Sequence, residues 1–315
     1  QAMAARLPRR PAEPPADLIL PREARRHWEA FVTSRDLPVR RDPDRGFVAS
    51  ANNRPDVPME VPVGFFFSPD DRVRRIRQVL TETQRIDLEA AIELQHDVLI
   101  PAAIELRDRM LQLVGPDAAG DGSGPTRRML DALRGWDGRY EATSEGAAAF
   151  ELLLNRFAHA LHGPEDLQIY SASWEPWTLL RRDLDSVPGE RLRAALAAAM
   201  GPATDIFARM PAWGDLHRMR LSHVLGAMPV VGRRYRFGDL PWPGSNETVM
   251  KAAHGFATDR HNVRFGAVAR PARPLLAVPV DMRKNRLQFP AREGQGFLLG
   301  HFRAFFGDIA AQNQT

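Results

Sequence analysis

Few side chains in this sequence stand at spacings that do chemistry unaided. His159 and His162 lie three apart on a helical stretch, and His217 and His223 six apart in an irregular one. Neither pair has the further ligands a tetrahedral metal site needs, so packing or surface roles are expected for these histidines and no metal is assigned. Gly120, Gly122 and Gly124 do not follow a strand and open a helix, which argues against a phosphate cradle. The two-histidine metalloprotease motif, the P-loop, the dinucleotide fingerprint and the nucleophile elbow are all missing. Cysteine is absent, which removes thiolate nucleophiles, cysteine metal sites and disulfides and leaves the redox compartment open. What stays is a carboxamide pair, Asn52 and Asn53, ahead of Pro55, which by itself is turn chemistry. Beside it stands an arginine group, Arg72, Arg74, Arg75 and Arg77, which by itself reads as a solvated helix face.

The chain around these residues has 315 positions, enough for one large domain or two ordinary ones. With 44% hydrophobic and 26% charged residues it matches globular proteins, which excludes disorder throughout. The longest apolar run, around Val61 to Phe67, falls far short of the roughly 18–20 residues of a membrane span. The first twenty residues are basic and proline-rich without an apolar core, so they do not read as a signal peptide. The net charge is only +4, and the basic residues are scattered among 39 carboxylates. A nucleic-acid binder concentrates its charge on one face, so neither nucleic acid nor membrane is an expected partner.

Residues 1–45 are expected to form an exposed Pro/Arg-rich arm or linker, with the first twenty too proline-rich to start a core element. Gly46 to Ser50 suggest a short strand running into the Asn-Asn turn. From Ser68 the pattern turns helical, with Ser68 as cap, Pro69 at the first helical position and Val73, Ile76, Val79 and Leu80 on one face. A second helical segment starts near Asp87 and is expected to kink or break near Pro101. Asp117 to Pro125 is a loop by composition. One helix follows with Met129, Leu130 and Leu133, and another from Ser144 that Gly163-Pro164 stops. A further helix is expected from Gly189 to Met200. Beyond Trp213, short strands are expected, among them Val263 to Gly266 and Leu276 to Val280. The fold class is therefore α+β, with a helical segment over 68–200 and a mixed, strand-bearing segment over 201–315.

Six phrases in a fixed order carry more information than any single residue. Ser50-Ala51-Asn52-Asn53-Arg54-Pro55, Asp71-Arg72-Val73-Arg74-Arg75-Ile76, Gln95-His96-Asp97-Val98, Leu133-Arg134-Gly135-Trp136-Asp137-Gly138, Trp213-Gly214-Asp215-Leu216-His217-Arg218 and Pro243-Gly244-Ser245-Asn246-Glu247-Thr248-Val249 resemble, in that order, segments of the penicillin amidase family of N-terminal nucleophile hydrolases. The resemblance covers roughly residues 45 to 270. It implies a four-layer αββα fold, of which residues 46–315 form the C-terminal portion of the β chain. It also implies a precursor cleaved into chains, a serine freed as a new N-terminus, and a periplasmic or secreted location.

In such enzymes the serine hydroxyl attacks an amide carbonyl, the serine's own α-amine acts as base, and an asparagine side chain helps hold the oxyanion. Carried onto this sequence, the resemblance implies that Asn52 is the oxyanion asparagine, with Asn53 the alternative. It implies that Arg72 is the family's arginine near the site, holding Asn52 or the new N-terminal amine. Glu60 stands where some members supply a carboxylate to a structural calcium. Gln1 has neither hydroxyl nor thiol, so the nucleophile is expected on another chain of the same precursor. The Gly294-Gln295-Gly296 and His301-Phe302 tail echoes the family only loosely. The function implied is cleavage of an N-acyl amide, such as a β-lactam, an acyl-homoserine lactone or a lipopeptide, with apolar residues of Val61 to Phe67 as candidate walls of the acyl pocket. The alternative is a non-catalytic scaffold that keeps the family's shape without its chemistry.

Overall fold

The computed structural model describes residues 43–57, 67–83, 85–115, 124–163, 166–167, 176–222, 224–256 and 261–266, with short pieces elsewhere in the first 64 positions. Glu60, most of Val61 to Phe67, nearly all of the Asp117 to Pro125 loop, Leu276 to Val280 and the tail expected to echo the family lie outside the described residues. The chain divides into two compact units, Gln1–Asp87 and Leu88–Thr315.

In the first unit, β1 (Leu7–Pro8) pairs antiparallel with β2 (Phe31–Val32), which buries Val32. This pairing falls inside a stretch expected to hold no core element. Helix α1 (Asp71–Glu82) buries Val73 and half-buries Ile76, Val79 and Leu80, the face read from the sequence. Its cap differs from the expectation. Asp70 is the N-cap residue, and the Ser68 hydroxyl lies 3.5 Å from the Arg72 guanidinium instead of capping the helix. Gly46 to Ser50 pair with no strand among the described residues, and Val48 is exposed. A short apolar run does not make a strand where no neighbour takes its hydrogen bonds.

The second unit is a helical body with strand pairs at its end. Helices α2 (Leu88–Gln95) and α3 (Pro101–Val114) are separate, and Pro101 opens α3, where its missing N–H costs nothing. Next come α4 (Pro125–Arg134) and α5 (Glu145–Leu161). Ser144 caps α5 by accepting from the Ala147 N–H at 3.1 Å, as its position suggests. Almost all of α5 is buried, so it forms the axis on which the rest packs. Trp136 reaches it by lying directly over Gly146, where a Cβ would sit 2.3 Å from the Trp136 Cβ.

Two helices depart from the expectation. α6 (Pro176–Ser186) was not foreseen at all, and it buries Trp177, Leu180 and Leu184. α7 (Gly189–Arg209) does not end at Met200 but runs on through Gly201-Pro202. A proline inside a helix costs about 3 kcal/mol. Pro202 faces solvent, and the turn beyond it buries Ile206 and Phe207. Each such side chain recovers roughly 1.5–3 kcal/mol, which offsets the break.

After the single turn α8 (Trp213–Leu216) come two antiparallel pairs: β3 (Arg218–Ser222) with β4 (Arg236–Pro241), and β5 (Ala252–His254) with β6 (Val263–Gly266). The second pair has a bulge between Ala253 and His254. The fold of the described residues is α+β and mostly helical. No helix among them is long and apolar enough to cross a membrane.

Candidate functional site

Asn52 and Arg72, twenty residues apart in sequence, meet in the first unit. Asn52 takes a left-handed backbone, φ 64°, a conformation that asparagine tolerates better than most residues. The Arg72 side chain is buried, and its Nη2 donates to the Ala51 carbonyl at 2.6 Å and to the Asn52 Oδ1 at 3.0 Å. A guanidinium only donates, so it fixes the carboxamide with oxygen inward and the Nδ2 amide as its outer end. Asn52 itself is exposed. Asn53 is used differently: its Oδ1 accepts from the Ala51 N–H at 3.0 Å and its Nδ2 donates to the Arg54 carbonyl at 2.8 Å. Both ends of that side chain hold the turn together.

Three family-like phrases of the second unit are knitted, with Tyr140 and Met250, by hydrogen bonds. The Val98 carbonyl accepts from the Tyr140 N–H at 3.0 Å, and the Asp97 carbonyl from the Met250 N–H at 2.9 Å. The Tyr140 carbonyl accepts from the Gly244 N–H at 2.8 Å, and the Gly244 carbonyl from the Trp213 indole at 2.9 Å. Gly244 has φ 84°, and a Cβ there would meet the Met250 carbonyl at 2.4 Å, so the turn requires glycine. His217 stacks on Trp213 and sits between the carbonyls of Trp242 at 2.7 Å and Ala252 at 3.1 Å. Burial lowers its pKa to about 4 despite those two acceptors, so it is neutral and donates to only one of them. These phrases make a packed knot whose work is structural. The remaining expected histidines also fit structural roles: His159 is exposed and His162 lies 2.8 Å from the Asp183 carboxylate on α6. His223 lies outside the described residues.

Beside the knot is a polar cluster that sequence reasoning missed. Glu151 on α5, His254 at the end of β5 and His261 just before β6 are all buried, with donor atoms within 4.8 Å of one another. The Tyr140 hydroxyl donates to Glu151 Oε1 at 2.8 Å. Burial raises the Glu151 carboxyl to about 7, and the Tyr140 hydrogen bond only partly opposes it. Burial and the neighbouring carboxylates Glu151 and Glu247 push the Tyr140 phenol well above its ordinary value. Burial, with His217 adding to it, lowers His261 to about 3, so its ring is neutral. One signal for the cluster was present in the sequence. Glu151 stands at the position of α5 between Ala147 and Leu154, on the face that otherwise carries apolar residues.

The order of the phrases, from the turn at Asn52 to the knot around Trp213, runs through residues that match a known class in sequence. The chain belongs to the penicillin amidase family, whose sequence model matches residues 1–275. It is similar to a penicillin acylase 2 proenzyme of Pseudomonas sp. (strain SE83), 28% identical over 290 residues, which cover 84% of this chain and 36% of that protein. It is also similar to the acyl-homoserine lactone acylase QuiP of Pseudomonas syringae pv. syringae (strain B728a), 26% identical over 271 residues, 70% of this chain and 31% of that one. The chain thus spans about a third of the length of the curated relatives it matches.

Proposed function

We propose that this chain is the C-terminal part of the β chain of a periplasmic or secreted acylase, and that it completes an amide-hydrolysing site whose serine nucleophile stands on another chain of the same processed precursor. In this reading its helices and strand pairs join a four-layer αββα N-terminal nucleophile hydrolase fold. The serine oxygen adds to the carbonyl carbon of an N-acyl amide while the serine α-amine takes the hydroxyl proton. The tetrahedral oxyanion collapses to an acyl-enzyme as the amine leaves with a proton, and water releases the acid. Asn52 Nδ2 donates to the oxyanion, and Arg72 acts as the positioning residue that holds the carboxamide in place. The observation that carries this reading is the 3.0 Å bond from Arg72 to Asn52 Oδ1, which turns the amide donor outward from an exposed turn. Preorganised donors of this kind stabilise the transition state because they need not reorient as charge develops.

The test begins with intact-mass measurement and N-terminal sequencing of every chain in the native preparation. A companion chain beginning with serine is expected. Acyl-amide hydrolysis by that complex is then compared with its Asn52→Ala variant. The expected result is a loss of roughly 10²–10³ in kcat with the complex still assembled, as for removal of one oxyanion donor. An assembled wild-type complex without hydrolysis of any N-acyl amide would replace this reading by the non-catalytic scaffold.

A further inference from the structure

We propose that Glu151, His254 and His261 bind a divalent transition-metal ion, zinc by the character of the ligands, as a structural clasp between α5 and the β5–β6 pair. This inference does not depend on the acylase reading. Two imidazoles and one carboxylate form the nitrogen–oxygen set that zinc takes. Zinc bonds of about 2.0–2.2 Å set tetrahedral donors roughly 3.3 Å apart. Here His254 Nε2 and Glu151 Oε1 are 4.0 Å apart, and one donor from each residue falls within 4.8 Å of the other two. Small side-chain rotations close that gap.

The outer contacts are those that orient metal ligands. Tyr140 donates to Glu151 Oε1, which leaves Oε2 to point elsewhere, and Oε2 is buried with no hydrogen-bond partner among the described residues. His254 has its Nδ1 3.1 Å from the Gly255 carbonyl and 3.0 Å from His261 Nδ1, the second-sphere side of the ring, which leaves Nε2, 3.1 Å from the Ser245 hydroxyl, as the ligating nitrogen. His261 Nε2 is likewise buried without a partner. Two unpartnered buried polar atoms within one cluster are costly, and a cation accepts lone pairs from both. The three ligands come from three elements, so a bound ion would tie the strand-bearing end of the chain to its central helix.

The test uses the full chain with whatever companion chain it carries, purified without a histidine tag or chelator. Elemental mass spectrometry is expected to find about one zinc per chain. After chelator treatment, zinc added alone is expected to rebind at one equivalent and raise the melting temperature, and cobalt added alone to give the intense visible bands of a four-coordinate site. Glu151→Gln, which keeps an acceptor for Tyr140, is expected to abolish tight uptake. Tyr140→Phe removes only the outer hydrogen bond and is expected to weaken uptake roughly 10–100-fold. His162→Gln, a partnered histidine outside the cluster, is expected to leave uptake unchanged. Folded wild-type chain that contains no metal and takes up none overturns the proposal. So does stoichiometric uptake that survives Glu151→Gln.

Discussion

At the Asn52 corner an exposed carboxamide is held by a buried guanidinium, whereas around Glu151 a buried carboxylate and two buried imidazoles face one another with polar atoms left over. In the first arrangement every strong bond points inward and one donor group is left at the surface. In the second, the hydrophobic body has closed over groups that hold charge or bind cations. On the proposed readings the first acts on something that arrives from outside, and the second is completed from within. The comparison implies that substitutions of the exposed Asn52 change turnover with little effect on folding, and that substitutions in the knot do the reverse.

The largest effect expected on turnover lies at the corner. Beyond Asn52→Ala, replacing Arg72 by methionine removes the anchor from Asn52 Oδ1 and the donor from the buried Ala51 carbonyl. In the assembled complex kcat is expected to fall by up to roughly 10²-fold while KM holds, because the lost interaction forms only with the oxyanion. Arg72→Lys restores part of the rate, a recovery that plain loss of packing would not show. Asn53→Ala is expected to cost little activity, since both ends of that side chain are already bound to backbone. Equal losses at Asn52 and Asn53 would erase the distinction drawn between them.

The largest effect on folding lies in the knot. Gly146→Ala places a methyl group 2.3 Å from the Trp136 Cβ, closer than the packing tolerates. Overpacking of this kind costs about 1–3 kcal/mol or more, read as a lower denaturation midpoint. Activity per folded complex is expected to be retained. A Gly146→Ala chain of undiminished stability would show that Trp136 moves aside freely and that the knot is softer than its bonds suggest.

How much was readable beforehand follows from how local each signal is. The Asn52–Arg72 contact is one of the two placements the resemblance implied for Arg72, and it joins two phrases only twenty residues apart. The start of α5 after Ser144 and its end before Gly163-Pro164 were legible because both signals are local. The α7 extension was not, since Gly201-Pro202 is a stop signal that tertiary burial of Ile206 and Phe207 overrides. The Gly46–Ser50 strand failed because a strand needs a neighbour and a short apolar run cannot supply one. The Glu151 cluster joins residues of three distant elements, and only the carboxylate on an apolar helix face marked it.

A pH titration of the metal-stripped protein sharpens the same contrast with a smaller effect. In the folded chain Glu151 ionises at about 7 against an ordinary 4.5, so the folded state holds a proton that the unfolded state has released. That contribution to stability is lost as pH rises from 4.5 to 7. His217 and His261 run the other way: they stay neutral down to about 4 and about 3, while the unfolded chain protonates near 6.5. Their contribution is lost as pH falls below 6.5. Between pH 4.5 and 6.5 two histidines oppose one carboxylate, so stability is expected to rise with pH by the worth of about one proton, ~1.4 kcal/mol per pH unit. Glu151→Gln removes the opposing group and is expected to double that slope, as read from denaturant midpoints. An unchanged slope would mean that Glu151 is ionised throughout, its charge compensated by a group other than the metal.

The smallest effect tests whether local signals carry energy in proportion to their legibility. Ser144→Ala removes the hydroxyl that accepts from the Ala147 N–H and is expected to cost about 1 kcal/mol. Arg128→Ala breaks the 2.6 Å pair with Glu145 on the same first turn of α5, where both partners are more than two-fifths exposed. Solvent screens that pair, so its removal is expected to shift the denaturation midpoint by less than the cap does. The cap outweighs the shorter, charged contact because the Ala147 N–H is fully buried and has no water to turn to, whereas the guanidinium of Arg128 has. The reverse order would place the stability of α5 in its surface charges and remove the reason for treating this helix as the buried axis of the unit.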